Sequence, residues 1–459
     1  MIRKGEKWYK GLGASLQGKE VSEGAFTFGF GRRSGCIFDN NRDIRCRYIQ
    51  RNQMIIEKEE AMKFRNKALF SFIAVLAVLS IANVTQAAPP VGFDDNEIRI
   101  GQWGPQTGPA AAWGSVARGT KLLFDIVNEE GGIHGRKIKY FIRDDMYNPA
   151  QTAAVVKELV ERQGIFAFVG GVGSATGMAV RDYLAANKIP WIGPAAADKD
   201  FAFPLNPYLF ASYPLYKDEG SILAQYIVDK LKMKKIGILY QNDAYGKDGL
   251  EGVKDRLATY KMSLVTEIPV EPTEKDMASQ ILRLKTAGAE TVILYVMPTA
   301  AVITMKTAAT VGFKPQWVAS NTLSDYPLMF KITGGLWEGV ITGALAETPD
   351  SMNPLMVKYR EAAKRLAPEE RWGVFYYAGI VFADPIVEAL KKVGRNLSTE
   401  ALLKALNSIK DHQTIGPKVT WTEKQHQGTD SIMIHKCGPN GSYIQLQDWT
   451  TNDLATWKK

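Results

Sequence analysis

The chain has 459 residues, with 57 Lys and Arg, 48 Asp and Glu, and a formal charge of +9. Hydrophobic residues make up 46% and charged residues 23%, a balance that excludes a mostly disordered, collagen-like or small disulfide-stapled protein. The length suits two or three domains.

The basic charge sits at one end. Residues 1–61 hold 12 basic and 8 acidic side chains, and residues 62–87 add Lys63, Arg65 and Lys67 with no acid. The rest is nearly neutral, so no basic stripe remains to neutralise phosphates, and a nucleic-acid partner is not expected. Residues 1–61 show no sustained periodicity and read as a doubtful N-terminal extension. Lys58-Glu59-Glu60-Ala61 can be encoded by a purine-rich ribosome-binding sequence, which makes Met62 the expected start. From Met62 to Lys67 the chain is basic, and from Ala68 to Val84 it is apolar except for Ser71, Ser80 and Asn83. Thr85-Gln86-Ala87 then ends in a small residue. This is the pattern of a secretory signal peptide over 62–87, followed by a periplasmic mature chain. The alternative, a membrane anchor, would need this apolar run to work at the lower limit of spanning length.

From residue 97 apolar runs alternate with helical patterns. Strands are expected at 98–101, 137–143, 165–170 and 190–193, and helices at 117–128, 148–162 and 178–187. A second series follows, with helices at 218–232, 246–260, 276–287 and 299–311 and strands at 235–240, 263–269, 291–296 and 316–320. Strands separated by crossover helices imply parallel sheets. Two such series predict an α/β fold of two doubly wound lobes, whose ligands bind beyond the carboxyl ends of strands.

The sharpest local pattern is Phe168-Val169-Gly170-Gly171-Val172-Gly173-Ser174-Ala175-Thr176-Gly177. A buried strand runs through glycines into Ser and Thr and then a helix. Glycines admit a ligand close to the backbone, and helix-start N–H groups with hydroxyls beside them favour an anion. Ser174 and Thr176 are therefore candidate anion-binding residues; the alternative is that Ser174 merely caps the helix. A dinucleotide site fits poorly, because Thr176 stands where a third glycine would be and no acid follows the next strand. Ala195-Ala196-Ala197 after that strand leave room and exposed backbone. Trp113, on the Gly104–Gly114 loop, is a candidate pocket wall. Tyr245, after Tyr240–Asp243, could close over a ligand, and Asp243 could take a cation or cap a helix. No nucleophile elbow or P-loop is present, and catalysis is not expected. Cys437 is the only cysteine after the leader, Cys36 and Cys46 lying in the extension. His134, His412, His426 and His435 lack metal spacing and read as solvated surface, so no metal and no cofactor are expected.

Together these residues resemble the branched-chain amino acid type of ABC-transporter substrate-binding proteins, the leucine/isoleucine/valine-binding group of the type I periplasmic fold. The similarity runs over about 97–445. It rests on Ile98–Gly101 through Thr107-Gly108-Pro109, Asn128–Lys137 with its Gly-Gly-Ile-x-Gly-Arg run, Asp144-Asp145 with Asn148-Pro149, Tyr245-Gly246, Val311–Lys314 and Ile415-Gly416-Pro417. The resemblance implies lobes of residues 97–214 plus 346–422 and 215–345 plus 423–449, joined by crossovers near 213–216, 343–347 and 420–428. It places the carboxylate-binding serine on Ser174, a backbone contact on Ala195, a packing ring on Trp113 and a second-lobe tyrosine on Tyr245. Departures fall at Ala197, where the group has a threonine, at Met297 for a tyrosine, and at Asn321 for the acid that holds an ammonium. Tyr147 and Gly173 stand near the positions of the group's disulfide. Met297, Phe375, Tyr376 and Trp113 would make the site more apolar and aromatic. The expected function is a solute-binding protein that closes by a hinge on a small carboxylate and delivers it to permease and ATPase subunits. The ligand is an amino acid or, better fitted by the substitutions, an amine-free aromatic or aliphatic carboxylate. The alternative is a ligand sensor acting through a signalling partner.

Overall fold

The computed structural model describes residues 92–454. The expected extension, leader and cleavage point lie outside the described residues. Two sheets organise the rest. The first has five parallel strands, β1 (Glu97–Gly104), β2 (Lys137–Asp144), β3 (Ala167–Val169), β4 (Trp191–Ile192) and β5 (Leu209–Phe210), in the order β2-β1-β3-β4-β5. The second comprises β6 (Ile236–Gln241), β7 (Thr266–Val270), β8 (Thr291–Tyr295), β9 (Gln316–Ala319), β10 (Ile341–Ala344), β11 (Ser431–Cys437) and β12 (Tyr443–Thr451), in the order β12-β11-β10-β9-β8-β6-β7. The ladders from β10 to β7 are parallel, and β11 and β12 add an antiparallel edge. The edge strand β12 is exposed or half-buried along its whole length, as a strand at the margin of a sheet is. The central strands β3 and β8 are buried along their length, as parallel strands covered on both faces must be.

Helices cover both sheets. In α1 (Ser115–Glu129) the residues Val116, Thr120, Leu123, Phe124 and Val127 recur at helical spacing and are buried, giving the apolar stripe of an amphipathic helix. That stripe meets the long helix Val374–Val393, which is apolar on nearly every face and largely buried. The two helices touch backbone to backbone: a Cβ on Gly119 would lie 1.7 Å from the Tyr376 carbonyl oxygen, and one on Gly379 would lie 2.0 Å from that of Val116.

The chain passes between the two sheets after β5. There Ala211 pairs in parallel with Gln427, and the Trp421 indole donates to the Ala211 carbonyl at 3.0 Å. Two histidines read from sequence as solvated surface are in fact core residues. His426 is 2% exposed and stacks on Phe210 with ring centroids 3.8 Å apart. His435, equally buried in β11, has its pKa pushed down to about 4 by desolvation. Among the described residues no helix is long and apolar enough to cross a membrane.

Candidate functional site

Ten residues enclose a cavity of about 10 Å³, room for little more than one water: Trp113, Tyr147, Val172, Gly173, Ser174, Ala195, Tyr216, Tyr245, Met297 and Thr322. Each follows the carboxyl end of a strand. Trp113 comes after β1, Tyr147 after β2, Val172 to Ser174 after β3, Ala195 after β4 and Tyr216 after β5. Tyr245, Met297 and Thr322 come after β6, β8 and β9 of the other sheet. Ends of parallel strands from both sheets thus converge where open α/β sheets hold ligands. The cavity is far smaller than the roughly 300–1,000 Å³ of drug-sized sites, so a solute enters only as the two walls part, and no charged side chain lines it.

Ser174 is the first residue of the helix Ser174–Ala186, four residues before the helix start that the spacing predicted. It is not a side-chain cap. Gly173 occupies the N-cap with φ +104°, and Ser174 Oγ is buried without a hydrogen-bond partner. An orphaned buried hydroxyl at a helix start, where the first-turn N–H groups have no intrahelical acceptor, is arranged for an oxyanion.

Thr176 does not point there. Its hydroxyl serves the carbonyls of Val172 and Gly173 at 2.5 and 2.9 Å, holding the loop. Nor is the backbone at 195–197 open as expected. The Ala195 N–H donates to Gly171, its carbonyl accepts from Gly173, and the Ala197 carbonyl accepts from Tyr216. Ala195 lines the cavity while Ala197 is core.

Trp113, Tyr245 and Met297 all face the cavity. The Trp113 indole N–H reaches the Thr322 carbonyl at 3.1 Å, and the Tyr245 hydroxyl bonds the Thr322 hydroxyl at 2.6 Å. Tyr245 packs edge-on against Tyr216 at 4.6 Å. Phe375 lies behind Trp113, centroid to centroid 4.5 Å, and Tyr376 sits at the helix crossing beside Gly119; neither lines the cavity. Asn321 is buried one residue from the wall. Its Oδ1 accepts from the Tyr213 hydroxyl, and its Nδ2 has no partner. Asp243 caps the helix Ala244–Thr259 through the Gly246 N–H.

Sequence patterns missed Tyr147, Tyr216 and Thr322 as wall residues, although the strand-end rule would have found them all. They also missed Glu219. This fully buried carboxyl accepts from the Asn321 N–H at 2.6 Å, the Ser320 hydroxyl at 2.9 Å and the Tyr295 hydroxyl at 3.2 Å. Desolvation pushes its pKa up to about 7 against those donors. It stands behind the turn that carries Thr322 and outside the cavity wall. Burial likewise holds the Tyr147, Tyr216 and Tyr245 phenols well above their usual range, so they stay protonated.

A family model described as a periplasmic binding protein matches residues 97–442. The chain is 25% identical over 374 residues to the Leu/Ile/Val-binding protein homolog 3 of Brucella melitensis, covering 81% of this chain and 97% of that one. It is 24% identical to an amino acid binding protein of Pseudomonas aeruginosa, covering 82% and 97%. Among solved structures it resembles a fatty acid ABC transporter substrate-binding protein from Thermomonospora curvata, with TM-score 0.73, 24% identity and coverage of 80% and 95%. It also resembles a branched-chain amino acid ABC transporter protein from Thermus thermophilus with bound valine, with TM-score 0.72, 19% identity and coverage of 79% and 98%. At those identities the two structures speak for the fold. The relatives are named as binding proteins, not enzymes.

Proposed function

The chain belongs to the periplasmic binding protein family, in its type I, branched-chain amino acid group, and we propose that it captures a small amine-free carboxylate between its two sheets for an ABC importer. The observation that carries this reading is the cavity itself: an orphaned Ser174 hydroxyl at a helix start, inside a wall with no charged side chain. A carboxylate satisfies that hydroxyl and gains the helix-start field. An α-ammonium would leave water for a wall that offers it no counter-charge, which is costly. Asn321 supplies only a neutral amide near the turn, and Glu219 is spent on three donors of its own. Trp113, Met297 and the tyrosines supply apolar and aromatic surface for the rest of the solute.

The mechanism is hinge closure, in which the ligand stabilises the closed arrangement that its contacts complete. No bond is made or broken. The leader at 62–87 directs the chain to the periplasm, and permease and ATPase subunits take the solute onward. The test is a thermal-shift panel on residues 88–459, refolded to remove carried-over solute. Leucine, isoleucine and valine are set beside 4-methylpentanoate, phenylacetate and benzoate. A ligand of the native state raises the melting temperature with concentration. Shifts with the amine-free acids support the reading; shifts with the amino acids alone overturn it.

A further inference from the structure

Among the residues lining the cavity, Tyr147 is the only non-glycine in the left-handed region, with φ +59°, and Met146 before it has φ +52°. Two consecutive non-glycine residues there are strained and persist only where the surroundings hold them. The acidic pair of the Asp144-Asp145 motif holds them. Asp144 Oδ1 accepts from the Met146 N–H at 2.9 Å. Asp145 Oδ1 accepts from the Tyr147 N–H at 3.1 Å, while its Oδ2 accepts from the Thr152 hydroxyl at 2.8 Å. The turn aims the Tyr147 ring at the Gly173–Ser174 corner. A Cβ on Gly173 would lie 2.5 Å from Tyr147 Cε2 and 3.2 Å from Cζ, the carbon that bears the hydroxyl. The phenol fits only because residue 173 has no side chain, and Tyr147 lines the same cavity as the orphaned Ser174 hydroxyl.

The phenol oxygen is already an acceptor. Gln241 Nε2 donates to Asp243 Oδ2 at 2.5 Å and to the Tyr147 hydroxyl at 3.3 Å. Asp243 fixes which end of the amide faces Tyr147, since the carboxylate needs the nitrogen. The phenol proton is therefore left to be donated, and Ser174 offers a second one from across the same corner. Ala197, on the neighbouring strand end, offers no hydroxyl.

We propose that the Tyr147 hydroxyl is a second donor to the ligand's anionic oxygen beside Ser174, with Gln241 as its positioning residue. This rests on the carboxylate reading above and names the donor pair that serves it. The test titrates phenylacetate, 4-methylpentanoate and leucine calorimetrically into wild type, Ser174→Ala, Tyr147→Phe, Gln241→Leu and the Tyr147→Phe/Gln241→Leu pair. For each acid that binds wild type, Tyr147→Phe weakens binding about tenfold, in the range of a hydrogen bond to a charged group. Gln241→Leu weakens it by about threefold alone and adds nothing to Tyr147→Phe, because it acts only through the phenol. Tyr147→Phe keeps the ring that fills the corner, so its fold is preserved. Binding by Tyr147→Phe within twofold of wild type, with Ser174→Ala much weaker, overturns the second donor and leaves the carboxylate reading standing. Equal binding by Ser174→Ala and wild type overturns the carboxylate reading, and this proposal with it.

Discussion

The Trp113 indole nitrogen, on the loop after β1, donates to the Thr322 carbonyl, on the turn after β9, across 3.1 Å and between the two sheets. Two further bonds cross beside it: the Thr299 hydroxyl to the Pro109 carbonyl at 2.9 Å, and Gln241 to Tyr147. Together they clasp the cavity shut. Trp113→Phe keeps an aromatic wall but removes the donor. It should weaken ligand binding by about 1 kcal/mol, roughly fivefold, by destabilising the closed arrangement. Calorimetric titration checks this; unchanged affinity would detach the clasp from binding.

The Thr176 hydroxyl is committed to the Val172 and Gly173 carbonyls. Thr176→Val should therefore lower stability by about 1 kcal/mol and leave the affinity of the site within twofold. A selective loss of binding, with the melting temperature unchanged, would show that Thr176 touches the ligand.

Gly119 lies where the helix Ser115–Glu129 meets the helix Val374–Val393 at backbone contact. A methyl group there would collide with the Tyr376 carbonyl oxygen. Gly119→Ala should destabilise by about 2–3 kcal/mol, since a packed crossing cannot open for one methyl without losing its neighbours. Urea denaturation measures it, and a change under 0.5 kcal/mol, roughly the scatter of neutral surface substitutions, would contradict the close crossing.

Glu219 makes stability depend on pH. Its folded pKa, about 7, lies above the unfolded carboxyl value, so the folded state binds the proton more tightly. Stability from this group is full below the unfolded pKa, near 4.5, and is lost as pH rises through 7. His435 works in the opposite sense. Its folded pKa of about 4 lies below the usual 6.5, so its contribution is lost as pH falls from 6.5 toward 4. Glu219→Gln should flatten the decline between pH 5 and 7.5 by up to about 3 kcal/mol. Parallel melting curves for wild type and variant across that range would remove Glu219 as the source.

Much of the fold was legible because its signals are local. Ile98 and Ile100, Ile236 to Leu239, and Val292 to Leu294 are short buried runs. Val116 to Val127 carries helical spacing, and glycines punctuate the ends. The antiparallel β11 and β12 were less so, since register there depends on pairing partners far along the chain. At the site, Ser174, Ala195, Trp113, Tyr245 and Met297 follow strands that periodicity finds, and they line the cavity. Tyr147 was hidden because its placement needs two left-handed residues, an acidic pair and the missing side chain of Gly173. Phe375 and Tyr376 lie on a helix that is apolar on nearly every face, where spacing cannot tell which side meets a cavity. His426 and His435 sit in the core because the Asn206 and Leu209 carbonyls accept from Nδ1 of the first, the Asn407 side chain pairs with its Nε2, and the sheet buries the second, none of which the sequence displays.

Anion capture by Ser174 is the central claim, and one titration tests it most directly. The amine-free carboxylate giving the largest thermal shift is titrated into refolded wild type and Ser174→Ala. The variant should bind at least tenfold more weakly, with its melting temperature in the absence of ligand unchanged or raised, because an orphaned buried hydroxyl has been removed. Equal affinity in the two proteins would contradict the assignment of this corner as the anion site.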